Sequence, residues 1–199
     1  KATEIKNDKS LTTKEKVNKI QSIPNTTLSS DAHELVINQL KSEVSTSHGI
    51  HNEQSAIEKY ATETNQMVEP LRKLCKKEYA NIIISGKVDG IVKQSDEVFK
   101  IVEVKNRTRR LFHKVVSYEY CQVQCYMYIL DQKECDIVEK FNNDINIFPV
   151  ERNQTYIEFV FDALTKFDRL LTLIQNDSDL QRDYATADEG LFSARLFRS

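Results

Sequence analysis

Three ionisable residues on two strand-like segments have the types and spacing of a metal site. Glu103 and Lys105 are two apart in the second segment, so their side chains leave a strand on the same face. If the segments form a hairpin that turns at 95–96, residues whose numbers add up to about 191 or 192 face each other, which places Asp89 beside Val102 or Glu103. Two carboxylates this close repel each other unless a proton or a cation lies between them, and oxygen ligands favour Mg²⁺ or Mn²⁺ over Zn²⁺. We therefore expect a divalent cation between Asp89 and Glu103.

A further carboxylate is predicted on a helix upstream of this hairpin. Glu53 begins an apolar stripe that continues with Ala56, Ile57 and Tyr60, and such a stripe faces the protein interior. A glutamate on an inward face needs a partner, because burying an unpaired charge is costly. The metal cluster would be one such partner.

Each of these features also has an ordinary structural explanation. A Glu-x-Lys pair in a strand is usually a solvated surface pair, and an isolated Asp-Gly pair is usually a turn. The combination is more specific, because thirteen residues separate Asp89 from Glu103 on one hairpin and Glu53 lies upstream. Gly86 and Gly90 would leave room for a ligand close to the backbone.

The elements that must position these residues follow from the hydrophobic pattern. Ile82–Val92 is short and β-branched, and Val98–Lys105 alternates like a second strand, with Val102 and Val104 on one face and Glu103 on the other. Other predicted elements are helices near 32–44, 50–66, 114–130 and 156–175 and strands at Cys135–Phe141 and Ile145–Val150. Helix starts are indicated by the box-like Thr12-x-x-Glu15 and Asp31-x-x-Glu34. This order predicts an α/β (α+β) domain in which a small mixed sheet is flanked by helices.

Composition limits the function classes. The 199 residues carry a net charge of −2, which excludes a generally basic nucleic-acid binder, and no run approaches the roughly 20 apolar residues of a membrane span. The four scattered cysteines predict free thiols in an intracellular, reducing compartment (cytoplasm, nucleus or viral factory) and not a secreted protein. We expect a loosely ordered segment at 1–28, the folded domain at 29–176, and a tail at 177–199 that packs on it.

One local run is strongly basic. Lys105–Lys114 contains five cations and no acid, directly after the second strand. In an acidic chain this run is the natural place for contacts to a phosphate backbone, although a solvated loop would look the same. The predicted phosphate contacts are Arg107, Arg109, Arg110 and Lys114.

These motifs resemble the PD-(D/E)XK nuclease superfamily and, within it, the phage lambda-type exonuclease (YqaJ-like viral recombinase) group. Val88-Asp89 stands at the P-D position without its proline, and Glu103-Val104-Lys105 matches (D/E)-x-K. The resemblance covers about residues 45–175, and a counterpart of the family's amino-terminal Arg and I-T-A-S element is missing. Two further segments match the group: Gly49-x-x-x-Glu53-x-x-Ala56 and Val150-Glu151-Arg152-Asn153-x-x-Tyr156. A third, Gln122-Val123-Gln124-Cys125-Tyr126-Met127, resembles its Q-V-Q-x-x-M segment and also contains a Q-x-x-x-Y spacing.

The resemblance implies a restriction-endonuclease-like core and metal-assisted hydrolysis of phosphodiester bonds. Asp89, Glu103 and the Val104 carbonyl would bind one or two Mg²⁺ (or Mn²⁺), and Glu53 would be a further ligand that orients a metal-bound water. Lys105 would position the water or stabilise the transition-state charge, and Gln122 would hold Lys105 in place.

The expected activity is that of a Mg²⁺-dependent exonuclease that resects duplex DNA ends, 5′ to 3′, for recombination or repair. The alternatives are a structure-specific or nicking endonuclease on the same core and a catalytically silent nucleic-acid-binding module. By resemblance, a ring-like homo-oligomer and a single-strand annealing protein are expected as partners besides duplex DNA, and no membrane is involved.

Overall fold

The structure, a computed structural model, describes residues 2–25, 28–71, 73–94 and 97–186. Its helices are α1 (Ala2–Asn7), α2 (Thr13–Gln21), α3 (Ser30–Thr64), α4 (Ser117–Ile129), α5 (Gln154–Asn176) and α6 (Ser178–Thr186). Its strands are β1 (Val68–Glu69), β2 (Cys75–Tyr79), β3 (Ile82–Gly86), β4 (Gly90–Gln94), β5 (Glu97–Asn106), β6 (Glu134–Phe141) and β7 (Asp144–Glu151).

Five strands form a mixed sheet in the order β1-β4-β5-β6-β7, in which only the β5–β6 pair among the described strands is parallel. The strand β5 is central and buried on both faces, since Ile101, Val102, Glu103 and Val104 are all buried. The predicted fold class, a small mixed sheet flanked by helices, is therefore confirmed.

Helices cover both faces of this sheet. On one face, Val102 and Val104 pack against Ala56 and Tyr60 of α3. On the other face, Ile101 lies in a cluster with residues of α4. Because neighbouring residues of a strand point to opposite faces, Glu103 and Lys105 are directed toward α4.

The β4–β5 hairpin has the predicted register. Gly90 pairs with Val102 and Ile91 with Ile101, whereas the pairing shifts by one residue after Val92. Because of this shift, the numbers of paired residues add up to 192 as far as Val92 and to 191 after it. The turn predicted at 95–96 lies outside the described residues.

The predicted strand Ile82–Val92 is wrong as a single element. It divides into β3 and β4, and β3 pairs with β2 in a separate two-stranded hairpin. The residues between the two strands, which include Asp89, pair with neither β2 nor β5 in these ladders. The β-branched pattern indicated the strand character of both halves, but it contained no information on the change of partner.

The predicted helix boundaries need correction at three places. The helices near 32–44 and 50–66 are one helix, α3, because a single internal Gly49 costs only about 1 kcal/mol of helix propensity. This helix is capped by Ser29, whose side chain accepts the N–H of Ala32 at 3.3 Å, and not at the predicted Asp31. Helix α4 begins later than predicted, at Ser117, because the residue before it, Val116, has an extended backbone (φ −85°, ψ 150°).

The predicted helix start at Thr12 is confirmed, with both bonds of the capping box to Glu15 present. Although residues 1–28 are expected to be loosely held, the described part forms α1 and α2, and the fully buried Ile20 packs with Ile37 and Val44 of α3. No residue of α6 is buried, and residues 187–199 of the expected tail lie outside the description.

No helix within the described ranges combines the length and the apolar character that crossing a membrane requires. All four cysteines are free, with Cys135 buried and the other three partly buried.

Candidate active site

Asp89 is held against β5 by a backbone hydrogen bond. It precedes Gly90, the first residue of β4, and its Oδ2 accepts the N–H of Val104 at 2.8 Å. Burial raises the pKa of Asp89 above its usual value, although the bond from Val104 and the charges of Lys105 and Lys87 act in the opposite direction. The hairpin thus brings Asp89 to the side of β5 that carries Glu103, as predicted.

Glu103 is the most deeply buried acid of this group, with 4% of its surface exposed. Its Oε1 accepts hydrogen bonds from Lys105 Nζ at 2.8 Å and from Gln122 Nε2 at 3.1 Å. Its Oε2 is buried and has no hydrogen-bond partner. Burial, followed by the negative charge of Asp89, raises the pKa of Glu103 to about 7, even though Lys105 lowers it. A further positive charge next to Glu103 would therefore stabilise its ionised form.

Gln122 joins β5 to α4. Its Oε1 accepts a hydrogen bond from Lys105 Nζ at 2.7 Å, while its Nε2 donates to Glu103 Oε1 and to the hydroxyl of Tyr126 at 2.8 Å. The amide can make all these bonds at once because its oxygen accepts and its nitrogen carries two hydrogens. One side chain of α4 thus fixes both charged groups of the Glu-x-Lys motif.

Tyr126 also belongs to this site, although no role for it was predicted from the sequence. It lies one helical turn after Gln122, so both side chains point to the same face of α4. Burial, and then the charge of Glu103, raises the pKa of Tyr126 to about 12, so the hydroxyl stays protonated. The Q-x-x-x-Y spacing is visible in the sequence, and the hydrogen bond from Gln122 gives it a structural reason.

Gly86 and Gly90 were expected to leave space for a ligand close to the backbone. In the structure, protein side chains lie in the space beside both glycines instead. A Cβ atom on Gly86 would lie 2.3 Å from the ring of Tyr126, and one on Gly90 would lie 2.5 Å from a methyl group of Val68. Real Cβ atoms essentially never come so close to other heavy atoms. Gly86 therefore allows Tyr126 to lie where it supports Gln122.

Glu53 lies on α3 near the same cluster. The negative charge of Glu53 contributes to the raised pKa of Glu103, which shows that the two carboxylates are near enough to interact. Asn106, the neighbour of Lys105, donates from Nδ2 to the Gly49 carbonyl at 3.0 Å. This bond ties α3 to the end of β5 one turn before Glu53.

The chemistry of this cluster suits a hard divalent cation. In the described ranges, no three His, Cys, Asp or Glu side chains are drawn together as a ready-made metal cage. The fit depends instead on the buried, unpartnered Oε2 of Glu103 and on the repulsion among neighbouring carboxylates, both of which a cation would relieve. Oxygen donors of this kind favour Mg²⁺ or Mn²⁺.

The basic run after β5 divides into one partly buried cation and an exposed group. The guanidinium of Arg107 binds Glu119 and Glu139, and only 9% of its side chain is exposed. This position argues against the predicted phosphate contact of Arg107. The other three predicted cations are exposed on the loop between β5 and α4: Arg109, Arg110 and Lys114.

The fold of this chain is similar to that of solved exonuclease structures. No curated protein sequence matches the chain significantly. An alkaline exonuclease (LHK-Exo) from Laribacter hongkongensis is similar in structure, with a TM-score of 0.55, 16% sequence identity, and coverage of 85% of this chain and 92% of that chain. The same enzyme in complex with dAMP gives a TM-score of 0.52 at 18% identity, covering 85% and 90% of the two chains. At this identity the likeness concerns the fold, and it confirms the predicted restriction-endonuclease-like core.

The family assignment depends on the sequence. A family model described as the YqaJ-like viral recombinase domain matches residues 2–133, which include α3, the β4–β5 hairpin and α4. This range contains the residues of the cluster around Glu103, namely Glu53, Asp89, Glu103, Lys105 and Gln122. The chain therefore belongs to the YqaJ-like viral recombinase domain family.

Proposed function

We propose that this protein is a metal-dependent DNA exonuclease of the lambda type, which hydrolyses phosphodiester bonds at the ends of duplex DNA. The observation that carries the proposal is the cluster of Asp89, Glu103, Lys105 and Gln122, in which one buried carboxylate oxygen lacks a partner. Membership of a viral recombinase family and a fold shared with an alkaline exonuclease support it.

The acidic residues would hold the metal. We assign one or two Mg²⁺ (or Mn²⁺) ions to Asp89, Glu103, the Val104 carbonyl and Glu53. A divalent cation bound there supplies charge neutralisation at the scissile phosphate and a lowered pKa for water. The backbone bond from Val104 keeps Asp89 oriented, and the bond from Gln122 keeps Glu103 oriented.

Lys105 is the cation of the site. Its ammonium group is shared between Glu103 and Gln122 at 2.8 and 2.7 Å, so it is held in one place before substrate arrives. A compact, fixed ammonium group can position the attacking water or stabilise the negative charge that develops on the phosphate. Gln122 contributes by fixing the position of the ammonium group.

The exposed loop cations would bind the DNA backbone. Arg109, Arg110 and Lys114 follow directly after the catalytic strand and remain available to solvent. Such contacts neutralise phosphates without reading bases, so we expect little sequence preference.

Several finer properties belong to the same proposal and follow from the family resemblance. These are resection from 5′ to 3′ in recombination or repair, assembly into a homo-oligomeric ring, and cooperation with a single-strand annealing protein. An intracellular, reducing location is also proposed, and the four free cysteines support it. The boundaries of the nuclease domain at 29–176 also remain a proposal.

Digestion of matched DNA substrates tests the proposed function. Wild-type protein with Mg²⁺ should degrade linear duplexes and leave covalently closed circles intact, whereas Lys105→Ala should leave both uncut. A nick introduced into closed circles would indicate the endonuclease alternative. Linear duplexes with and without a 5′-phosphate, each labelled at one end, report the direction. Equal degradation of linear DNA by Lys105→Ala and wild type would overturn the catalytic assignment.

A further inference from the structure

Arg107 lies two residues after Lys105 but belongs to a different set of contacts. Its Nη1 and Nη2 donate to the two oxygens of Glu119 at 2.6 and 3.0 Å, and its Nε donates to Glu139 Oε1 at 2.8 Å. The guanidinium plane also lies over the ring of Phe112, 4.1 Å from its centroid. Glu119 and Glu139 are both completely buried.

Glu119 is in the first turn of α4, and Gln122 follows it by three residues. Residues three apart on a helix lie on neighbouring positions of one face. The fork of Arg107 therefore holds the start of α4 against the end of β5, next to the place where Gln122 reaches Lys105. Gln122 makes hydrogen bonds to Lys105 and Glu103, and their donor–acceptor distances of 2.7 and 3.1 Å are near the optimum. A shift of α4 by about 1 Å would lengthen both bonds.

Glu139 anchors the same arrangement to the sheet. It lies on β6 beside Lys105 in the parallel register, and it also accepts the backbone N–H groups of Phe112 and His113 at 2.6 and 3.1 Å. Burial by itself raises the pKa of Glu139, but these bonds and the one from Arg107 lower it overall, so this buried carboxylate is ionised. Arg107 is thus one cation shared by two buried anions, one on the helix and one on the sheet.

From this geometry we infer that Arg107 is a positioning residue of the proposed nuclease: through Glu119 it sets the distance between α4 and β5 at which Gln122 holds Lys105 and Glu103. The inference rests on the proposed function. Arginine is required because its fork binds both oxygens of Glu119 while a third N–H reaches Glu139, which one ammonium group cannot do in the same geometry.

Two variants separate this role from a phosphate contact. Arg107→Lys keeps the charge and loses the fork, and Glu119→Gln keeps the shape and removes the charge that binds the fork. We expect each to lower kcat by about 10- to 100-fold, the range found for residues that orient metal-site groups, with KM for DNA ends unchanged within about two-fold. A phosphate contact predicts the opposite for Glu119→Gln, namely tighter DNA binding at unchanged kcat.

Arg152→Lys serves as the matched control. Arg152 binds Asp131, just beyond the other end of α4, at 2.9 Å, and Asp131 is exposed. The same substitution at this pair should leave kcat and KM at the wild-type values. An equal loss in Arg152→Lys and Arg107→Lys would overturn the positioning role.

A double-mutant cycle tests whether Arg107 acts through Gln122. If it does, Arg107→Lys should lower kcat by less than about two-fold in the Gln122→Ala background, because the contact that it positions is already gone. A full additional loss in that background would indicate general damage and overturn the inference. Thermal unfolding shows whether each variant is folded. If Arg107→Lys does not fold, the kcat of Glu119→Gln tests the positioning role in its place.

Wild type and Lys105→Ala are measured in parallel so that the two hypotheses can fail separately. If wild type does not degrade linear duplexes, the proposed function fails and the inference fails with it. If wild type is active, Lys105→Ala is inactive and Arg107→Lys equals wild type, only the inference fails.

Discussion

The carboxylate of Asp89 accepts the backbone N–H of Val104 at 2.8 Å. Asp89 belongs to the short connection between β3 and β4, whereas Val104 lies inside the central strand β5. The position of the acid is therefore set by the backbone of the central strand of the sheet. Because that donor does not depend on any side chain of β5, Asp89 can be varied without removing its anchor.

Asp89→Asn should abolish most activity without unfolding the protein. The amide oxygen of asparagine can still accept the Val104 N–H, but the negative charge is lost. We expect a loss of at least about 100-fold in kcat, as when a group that stabilises transition-state charge is removed. Titration calorimetry with Mn²⁺ should show weaker binding than in wild type. Unchanged Mn²⁺ affinity would remove Asp89 from the metal site.

Gly86→Ala should destabilise the protein and lower its activity. The new methyl group would meet the ring of Tyr126 at 2.3 Å, and overpacking of this kind costs about 1–3 kcal/mol. Displacement of Tyr126 would disturb the bond that it makes to Gln122. Gly49→Ala is the control, since a Cβ there meets nothing within 4 Å and alanine should stabilise α3 by up to about 1 kcal/mol. Equal urea midpoints for the two variants would contradict this assignment.

The stability of the metal-free protein should fall as pH rises from about 4.5 to about 7. The pKa of Glu103 is 4.5 when exposed and about 7 in the folded protein, so the folded state binds the proton more tightly. Its contribution is complete below the unfolded pKa and is lost as pH rises through the folded pKa, with about 3 kcal/mol as the upper limit.

Thermal unfolding in EDTA across this pH range measures the effect. Glu103→Gln should flatten the dependence, because the amide does not titrate. Added Mn²⁺ should restore stability near pH 7 in wild type and not in the variant. A pH profile that is the same in Glu103→Gln and wild type would show that another group is responsible.

Arg110→Ala should weaken DNA binding equally for all sequences. Loss of one phosphate contact reduces the slope of log K against log salt by about 0.9. Fluorescence anisotropy with unrelated duplexes, at several salt concentrations and without divalent metal, measures both quantities. Arg169→Ala, which removes an exposed arginine of α5, should leave the slope unchanged. A loss confined to one DNA sequence would argue for base recognition.

The sequence was sufficient for the hairpin and for the residues that it carries. A strand has a period of two and a tight hairpin fixes its register locally, so the position of Asp89 near Glu103 followed from residue numbers alone. The same reasoning failed for Ile82–Val92, because β3 pairs with β2 and not with β5. Strand character is local, whereas the choice of partner depends on the rest of the fold.

The amphipathic pattern of the helices identified their positions but not what their polar residues bind. Gln122 was assigned only by family resemblance, because its partners lie 17 and 19 residues away on a strand. The sequence predicts space for a ligand at Gly86, although the ring of Tyr126, 40 residues later, occupies that space. Packing between distant segments leaves no periodic trace in the chain.

Residue types and spacing alone determined the family, the sheet-and-helix fold class, and the acidic and basic residues of the central strand. Tertiary structure decided which of the neighbouring cations serve which purpose. Arg107 and Arg110 are equivalent in a charge pattern, yet Arg107 binds two buried acids 12 and 32 positions away and Arg110 faces solvent. The physical reason is that the environment of a charge depends on which distant groups the fold places around it, and a sequence records only its neighbours along the chain.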